Sequence, residues 1–278
     1  GKSRCRIQGQ STSSKMTDLK ISLIQSDLYW ENIEANLAHF EEKIWAISEE
    51  TDLIILPEMF STGFTMNAKQ LSEPPHFKTF RWMVQMADQK KAVIMGSYIV
   101  KEKNNYFNRL YAVYPEGKYG KYDKKHLFTL GREQDFFEPG VEKSIITIKG
   151  WKICPLICYD LRFPAWSRLK YQGPDLYEYD LLIYVASWPK MRINAWDTLL
   201  SARAIENQSY CVGVNRTGID GNGLEYHGHS GVYDFLGDRQ ADLGTSVTTS
   251  TTVLSKEGLD LFRSTFPFQK EADSFNFL

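Results

Sequence analysis

Three residues of this chain are of types that can cooperate in nucleophilic catalysis, and each stands where a strand or turn gives out. Cys158 closes the apolar run 153–158 and is followed by Tyr159-Asp160-Leu161-Arg162-Phe163-Pro164. A lone buried cysteine is more often inert core than nucleophile. At a strand-to-turn position those odds change, because backbone N–H groups past the strand end can face an oxyanion. Glu58 follows the apolar run 52–56 (DLIIL) and Pro57. A carboxylate there is costly unless something positive or protonated meets it; taken alone it reads as a helix-start carboxylate. Lys125 lies in Tyr122-Asp123-Lys124-Lys125-His126-Leu127 and alone reads as a solvated lysine. Together, a thiol, a carboxylate base and an ammonium are the parts that cleavage of an amide C–N bond needs. Amides are poor electrophiles, and a thiol with a pKa near ~8.5 is only a few per cent ionised at neutral pH, so the base must take its proton. A neighbouring ammonium favours the thiolate.

The elements that hold these residues read as strands and helices in alternation. Residues 19–25 (LKISLIQ) read as a strand, and Ile33, Leu37, Phe40, Ile44 and Ile47 recur at the steps of an amphipathic helix. The run 52–56 is typical of a strand buried on both faces. A helix is expected over 77–90, strands over 92–100 and 109–113, and a turn at Pro115-Glu116-Gly117. The second half repeats the scheme, with strands over 151–158 and 180–187, a helix over 194–208, and strands over 210–215, 231–234 and 247–254. Strands fed by helices imply a layered α/β domain, and no repeat, low-complexity tract or linker divides it.

Composition narrows the class of partner. Lys plus Arg total 33 against 34 for Asp plus Glu, a formal net charge of −1, which lacks the basic face a nucleic-acid partner demands. No apolar stretch approaches the length of a membrane span. The four cysteines, Cys5, Cys154, Cys158 and Cys211, show no paired pattern, so we expect a reduced, cytoplasmic protein. Residues 1–15 are polar and lack the apolar core of a secretory signal. We expect the natural start at Met16 and an appended or processing remnant before it.

The segments LPEMF at 56–60, KKHLF at 124–128 and CYDLRFP at 158–164 resemble the nitrilase superfamily of carbon–nitrogen hydrolases, in the same order of Glu, Lys and Cys. ASWP at 186–189, ARAIENQ at 202–208, NRTG at 215–218 and YHGHSGVYD at 226–234 look like its omega-amidase branch. The resemblance spans residue 19 to the mid-250s. It implies a four-layer α-β-β-α sandwich, a single carbon–nitrogen hydrolase domain over 16–278, and a homodimer. It further implies hydrolysis of the terminal amide of 2-oxoglutaramate or 2-oxosuccinamate through a thioester on Cys158. The oxyanion would be held by Lys125 and the backbone N–H of Tyr159. A second family carboxylate, in an E-x-x-x-F-x-x-G arrangement, falls on Glu133 with Phe137 and Gly140; Glu138 is its nearby competitor. This chemistry requires neither metal nor cofactor.

The remaining polar residues carry blander readings beside the functional ones. Cys154 and Cys158 form a C-x-x-x-C without a second pair or a histidine at zinc-ligand spacing, so Cys154 is expected in the strand core. His227 and His229 flank Gly228 and are expected on a loop or strand edge near the site, and His126 as a support for its loop. Arg162 either meets a substrate carboxylate or buttresses Asp160 or a helix carboxylate. Trp188 either lines the pocket or simply packs. The competing functions are an N-carbamoyl amine amidohydrolase or other small-amide hydrolase, and a catalytically inert binding module of the same fold. A thiol redox protein would want C-x-x-C spacing, which is absent.

Overall fold

A computed structural model of the chain describes residues 17–173 and 176–277. The expectations for residues 1–15, Cys5 and Leu278 fall outside the described residues. The apolar stripe of the first expected helix forms α1 (Ile33–Trp45), capped by the Asn32 side chain accepting from the Ala35 N–H and burying Leu37, Phe40 and Ile44. It follows β1 (Leu19–Gln25) and leads to β2 (Leu53–Ile55). A single-turn α2 (Ala68–Leu71) and α3 (Lys78–Lys90) precede β3 (Val93–Glu102), which turns directly into β4 (Asn105–Val113) and then β5 (Tyr119–Asp123). The second half holds β6 (Ile146–Ile148), β7 (Trp151–Ile157), a single-turn α4 (Pro164–Ser167), β8 (Leu181–Ala186), α5 (Ile193–Asn207) and β9 (Tyr210–Asn215). A two-stranded hairpin of β10 (Thr217–Ile219) and β11 (Glu225–His227) comes next. The chain then forms β12 (Gly231–Tyr233), β13 (Arg239–Asp242), β14 (Thr248–Leu254) and α6 (Lys256–Thr265).

Two six-stranded sheets result, in the orders β14-β1-β2-β3-β4-β5 and β13-β12-β9-β8-β7-β6. The central strands β1, β2 and β3 run parallel, as do β7, β8 and β9, and antiparallel strands close both edges. The period of two along a strand sorts the side chains of the first sheet. Leu19, Ile21, Leu23, Leu53, Ile55, Val93, Met95, Leu110, Ala112 and Tyr122 share one core with the residues of the second sheet. Their alternates Ile24, Ile54, Ile94, Tyr98, Tyr111 and Val113 pack with Leu37, Phe40 and Ile44 of α1 and Met83, Met86 and Ala87 of α3. On the far face of the second sheet, α5 buries Trp196, Leu200 and Ala204. The architecture is the four-layer α-β-β-α sandwich, with its functional strands meeting face to face.

The expected strands at 19–25 and 210–215 form to the residue, and the others shift by a residue or two at their ends, apart from the hairpin of β3 and β4, which runs further at both strands. One shift has a cause that matters for function. The strand expected to end at Cys158 ends at Ile157, because Cys158 adopts φ +42°, outside the extended region. The aromatic tail after residue 255 contains α6, whose Ser255 caps Gly258 N–H at 3.1 Å. Arg263 of α6 is buried and donates to Asp180 (2.9 Å), to the Tyr179 carbonyl (2.8 Å) and to the Gln208 carbonyl (2.8 Å). Phe262 stacks on Phe235 and Phe277 touches Trp166, while Phe266, Phe268, Phe275 and Phe277 all stay exposed.

Candidate active site

The C-terminal ends of β2, β5, β7 and β8 deliver four polar segments to one place between the two sheets. Open α/β sheets gather ligands at such strand ends. Beyond β2, Glu58 is fully buried. Its Oε1 accepts from Lys124 Nζ at 2.9 Å and from Asn108 Nδ2 at 2.8 Å, and its Oε2 accepts from the Ser187 N–H at 2.9 Å. Just past β5, the buried Lys124 also donates to Glu133 Oε2 at 2.8 Å. Glu133 in turn accepts from the Phe128 N–H at 2.6 Å and from Asn108 Nδ2 at 3.3 Å. Burial works against the Lys124 ammonium, but Glu133, Glu58 and the nearby Cys158 more than offset it, and its proton is held more tightly than usual. Burial pushes the Glu133 carboxyl up, with Lys124 opposing. An ammonium has three donors; two are spent on these carboxylates, and Lys124 also lines the cavity.

Cys158 sits where β7 gives way to the 3-10 turn Cys158–Arg162. Its positive φ is strained for a residue with a side chain, and such strain persists only where the surroundings hold it. Asp160 anchors the turn by accepting from the Ile157 N–H, the Tyr122 hydroxyl and the His126 N–H, at 3.0, 2.8 and 3.0 Å. The Glu58 carboxylate lies close enough to Cys158 to act on the thiol, and the Ser187 N–H that lies nearby is donated to that carboxylate. Burial pushes the thiol well above its ordinary value and the Glu58 charge adds to that, while Lys124 pulls the other way without prevailing. Cys158 thus lies beside a carboxylate, with burial disfavouring ionisation of its thiol. Tyr159 follows in the first turn, whose N–H groups have no partner earlier in the helix.

The expectation for Lys125 is corrected by this geometry: Lys124 occupies the cluster. Side chains alternate along a strand, and Lys124 continues β5 by pairing its N–H with the Asn108 carbonyl at 3.0 Å. It thus shares the inward face with Tyr122, and Lys125 points the other way, its Nζ 5.3 Å from the Trp166 ring centroid. Of the two carboxylates weighed for the second acidic position, Glu133 is buried on Lys124 and Glu138 is exposed. Asn108 was not anticipated, although it lies in phase with the inward Leu110 and Ala112 of β4. His126 stacks on Phe163 at 3.9 Å and contacts Asp160 through Nδ1 at 2.8 Å, which ties its loop to the Cys158 turn. His229 Nδ1 meets Asp197 at 2.8 Å, and His227 lies near Glu225; neither lines the cavity. Cys154 is core, its thiol pushed up to about 12 by burial. Among the described residues no group of three His, Cys, Asp or Glu is placed to hold a metal ion, and no helix is long and apolar enough to cross a membrane.

Above this cluster opens a cavity of about 580 Å³, with Cys158, Lys124 and Ser187 among its lining residues. Its walls are aromatic (Phe64, Phe128, Tyr159, Trp188), and Arg162 and Arg192 also line it. Arg162 does not buttress Asp160, whose oxygens are taken by Tyr122, Ile157 and His126; its guanidinium lies 4.9 Å over the Trp188 ring. Trp188 lines the cavity and is fixed through its N–H to Asn215 Oδ1 at 2.7 Å and its Nε1 to the Arg192 carbonyl at 2.8 Å.

Two predictions follow from how the lysine segment is held. Gly140 donates its N–H to the Lys124 carbonyl at 2.8 Å, and a Cβ there would lie 2.0 Å from the Asp123 carbonyl oxygen. Gly140→Ala must displace the backbone that carries Lys124. Since misplacement by about 1 Å can cost ~100-fold, we expect kcat to fall on that order in a protein whose circular dichroism is unchanged. Asn108→Ala removes the shared donor between the two carboxylates. Hydrogen bonds to charged groups are worth about 1.5–3 kcal/mol, so a loss of roughly 10- to 100-fold in kcat/KM is expected; wild-type kinetics would show that Asn108 only fills space.

A carbon-nitrogen hydrolase family model matches residues 20–263. The omega-amidase YafV of Escherichia coli (strain K12) is 41% identical over 94% of this chain and 99% of its own length. The 2-oxoglutaramate amidase of Bacillus subtilis (strain 168) is 33% identical over 81% of this chain and 86% of its own. Among solved structures, a CN-hydrolase superfamily protein from Xanthomonas campestris, which carries an arsenic adduct in its active site, superposes with a TM-score of 0.92 at 38% identity, covering 95% of this chain and 100% of that one. A buried thiol beside a paired carboxylate and ammonium, on this fold and with these relatives, leaves one assignment: the chain belongs to the carbon-nitrogen hydrolase family, on the omega-amidase branch of the nitrilase superfamily, and is an enzyme that hydrolyses carbon–nitrogen bonds of amides.

Proposed function

We propose that this enzyme is an omega-amidase that releases ammonia from the terminal amide of 2-oxoglutaramate or 2-oxosuccinamate, leaving the 2-oxo dicarboxylate. One observation carries the choice of an acidic substrate: Arg162 lines the cavity beside Cys158 and has no carboxylate partner among the described residues. A guanidinium left without an anion on a cavity wall is suited to a substrate carboxylate. The names of the relatives from Escherichia coli and Bacillus subtilis support the same reading.

In the mechanism we infer, Glu58 takes the Cys158 proton as the sulfur attacks the amide carbon. The oxyanion is met by the remaining donor of Lys124 and by the Tyr159 N–H. Glu58 then passes its proton to the leaving nitrogen, ammonia departs, and a thioester stays on Cys158. Water enters, Glu58 takes its proton, and collapse of the second tetrahedral adduct frees the acid and returns the proton to sulfur. Glu133 holds Lys124 and balances its charge. The proton only moves between Cys158, Glu58 and the reacting groups, so the cluster's net charge is the same in the Michaelis complex and in the tetrahedral adduct. That constancy matters in a site shielded from water, where any change of net charge is expensive.

We further propose a homodimer in the cytoplasm. The exposed Phe266, Phe268 and Phe275 support association, and the free Cys154, Cys158 and Cys211 support a reducing compartment; sedimentation velocity tests the first, and fractionation the second. The substrate is tested by measuring ammonia release from 2-oxoglutaramate, 2-oxosuccinamate, glutamine, asparagine and N-carbamoyl amines. The 2-oxo amides should be turned over fastest. Faster release from an N-carbamoyl compound would hand the assignment to the N-carbamoyl amine amidohydrolase reading.

A further inference from the structure

We propose that Arg192 is a second specificity-determining residue, which joins Arg162 in gripping the substrate's carboxylate from a different segment of the chain; the inference rests on the omega-amidase reading above. Arg192 belongs to the 3-10 turn Lys190–Arg192 that leads into α5, and it lines the same cavity as Cys158 and Arg162. Its guanidinium lies 5.3 Å over the Phe128 ring, and its one polar side-chain contact among the described residues is the Met191 sulfur at 3.4 Å. A thioether is a weak acceptor, so the charge of Arg192 is as unanswered as that of Arg162. The two are mechanically joined, since Arg162 rests on the face of Trp188 and the Trp188 Nε1 donates to the Arg192 carbonyl.

The acidic groups on the cavity wall do not cancel these charges. Glu31 accepts from Thr65 Oγ1 at 2.5 Å, and Asp220 accepts from the Asn222 and Leu224 N–H groups and the Tyr226 hydroxyl. Neither is paired with Arg162 or Arg192. Two planar guanidiniums, each steadied on an aromatic face, can both donate to one carboxylate, whose two oxygens offer about four acceptor sites. Such a grip would place the acid end at the guanidiniums and leave the amide at Cys158. It would also disfavour amides that end in a neutral or cationic group.

The test compares ammonia release from 2-oxoglutaramate with that from its methyl ester, in wild type, Arg192→Met, Arg192→Lys and Arg162→Met, with folding checked by circular dichroism. The wild type should prefer the free acid. In Arg192→Met the acid-to-ester ratio of kcat/KM should fall roughly 10- to 100-fold, the span expected for a charge-assisted contact, and mainly through KM for the acid. Arg192→Lys should keep part of the preference, and inhibition by 2-oxoglutarate should weaken in step. A ratio in Arg192→Met within about two-fold of wild type, with Arg162→Met impaired, overturns the role of Arg192 and leaves the omega-amidase reading standing. No preference for the acid in the wild type overturns both.

Discussion

Lys124→Met is expected to lower kcat for amide turnover by at least about 10²- to 10³-fold, whereas the same change at Lys125 should leave it within about three-fold of wild type. The two lysines are neighbours in sequence and opposites in surroundings. Lys124 is 1% exposed and bonded to Glu58 and Glu133, while Lys125 is partly exposed and packs on Trp166. Loss of one oxyanion donor costs roughly 10²- to 10³-fold in kcat. Removing the ammonium also strands two buried carboxylates, a penalty of about 3–5 kcal/mol in stability. A drop in Tm is therefore expected alongside the loss of activity. Lys124→Met combined with Glu133→Gln removes one stranded charge and should recover much of the Tm but none of the turnover. That separation of stability from rate distinguishes a chemical role for Lys124 from a merely structural one. Equal losses in Lys124→Met and Lys125→Met would sink the assignment.

Cys158→Ser is expected to retain the fold and to lose turnover by at least about 10⁴-fold, the scale seen when a covalent nucleophile is removed. The exchange of sulfur for oxygen keeps a proton donor beside Glu58 but raises the cost of ionisation. Burial pushes the wild-type thiol up, which works against a preformed thiolate. On the mechanism proposed above, its reactivity comes from proton transfer to Glu58 during attack. Intact mass after mixing with substrate should show the acyl adduct in the wild type and none in Cys158→Ser. Hydroxylamine should intercept the same intermediate as a hydroxamate. An adduct on a different residue, or steady turnover by the serine variant, rules out Cys158 as nucleophile.

The sandwich was legible because its signals are local. The stripe through Leu37, Phe40 and Ile44, and apolar runs such as that of β2, depend only on periodicity and on what each side chain does to water. Cys158 and Glu58, each bland when taken alone, were singled out by their combination and by the order of motifs that resembles the nitrilase superfamily. The choice between Lys124 and Lys125 was not local in that way. It turns on the parity of β5, where Tyr122 faces inward and therefore carries Lys124 with it. That phase was available from Tyr122, but adjacent lysines in a polar run conceal it. Asn108 was hidden for the opposite reason, since one inward polar residue on a strand gives no sign of its partners before β5 is placed alongside. The helix α6 escaped because its docking rests on Arg263, a residue type ordinarily assigned to the surface.

The two sheets divide the machinery between them. Glu58, Asn108 and Lys124 come from β2, β4 and β5 on one sheet, and Cys158 and Ser187 from β7 and β8 on the other. On the proposed mechanism, neither sheet alone holds both the nucleophile and the base that switches it on. Where the layers part, Cys158 regains an ordinary thiol but loses the carboxylate that the proposed mechanism needs to take its proton. On that reading turnover works as a built-in gauge of closure: it should be lost on warming together with the one core that both sheets share.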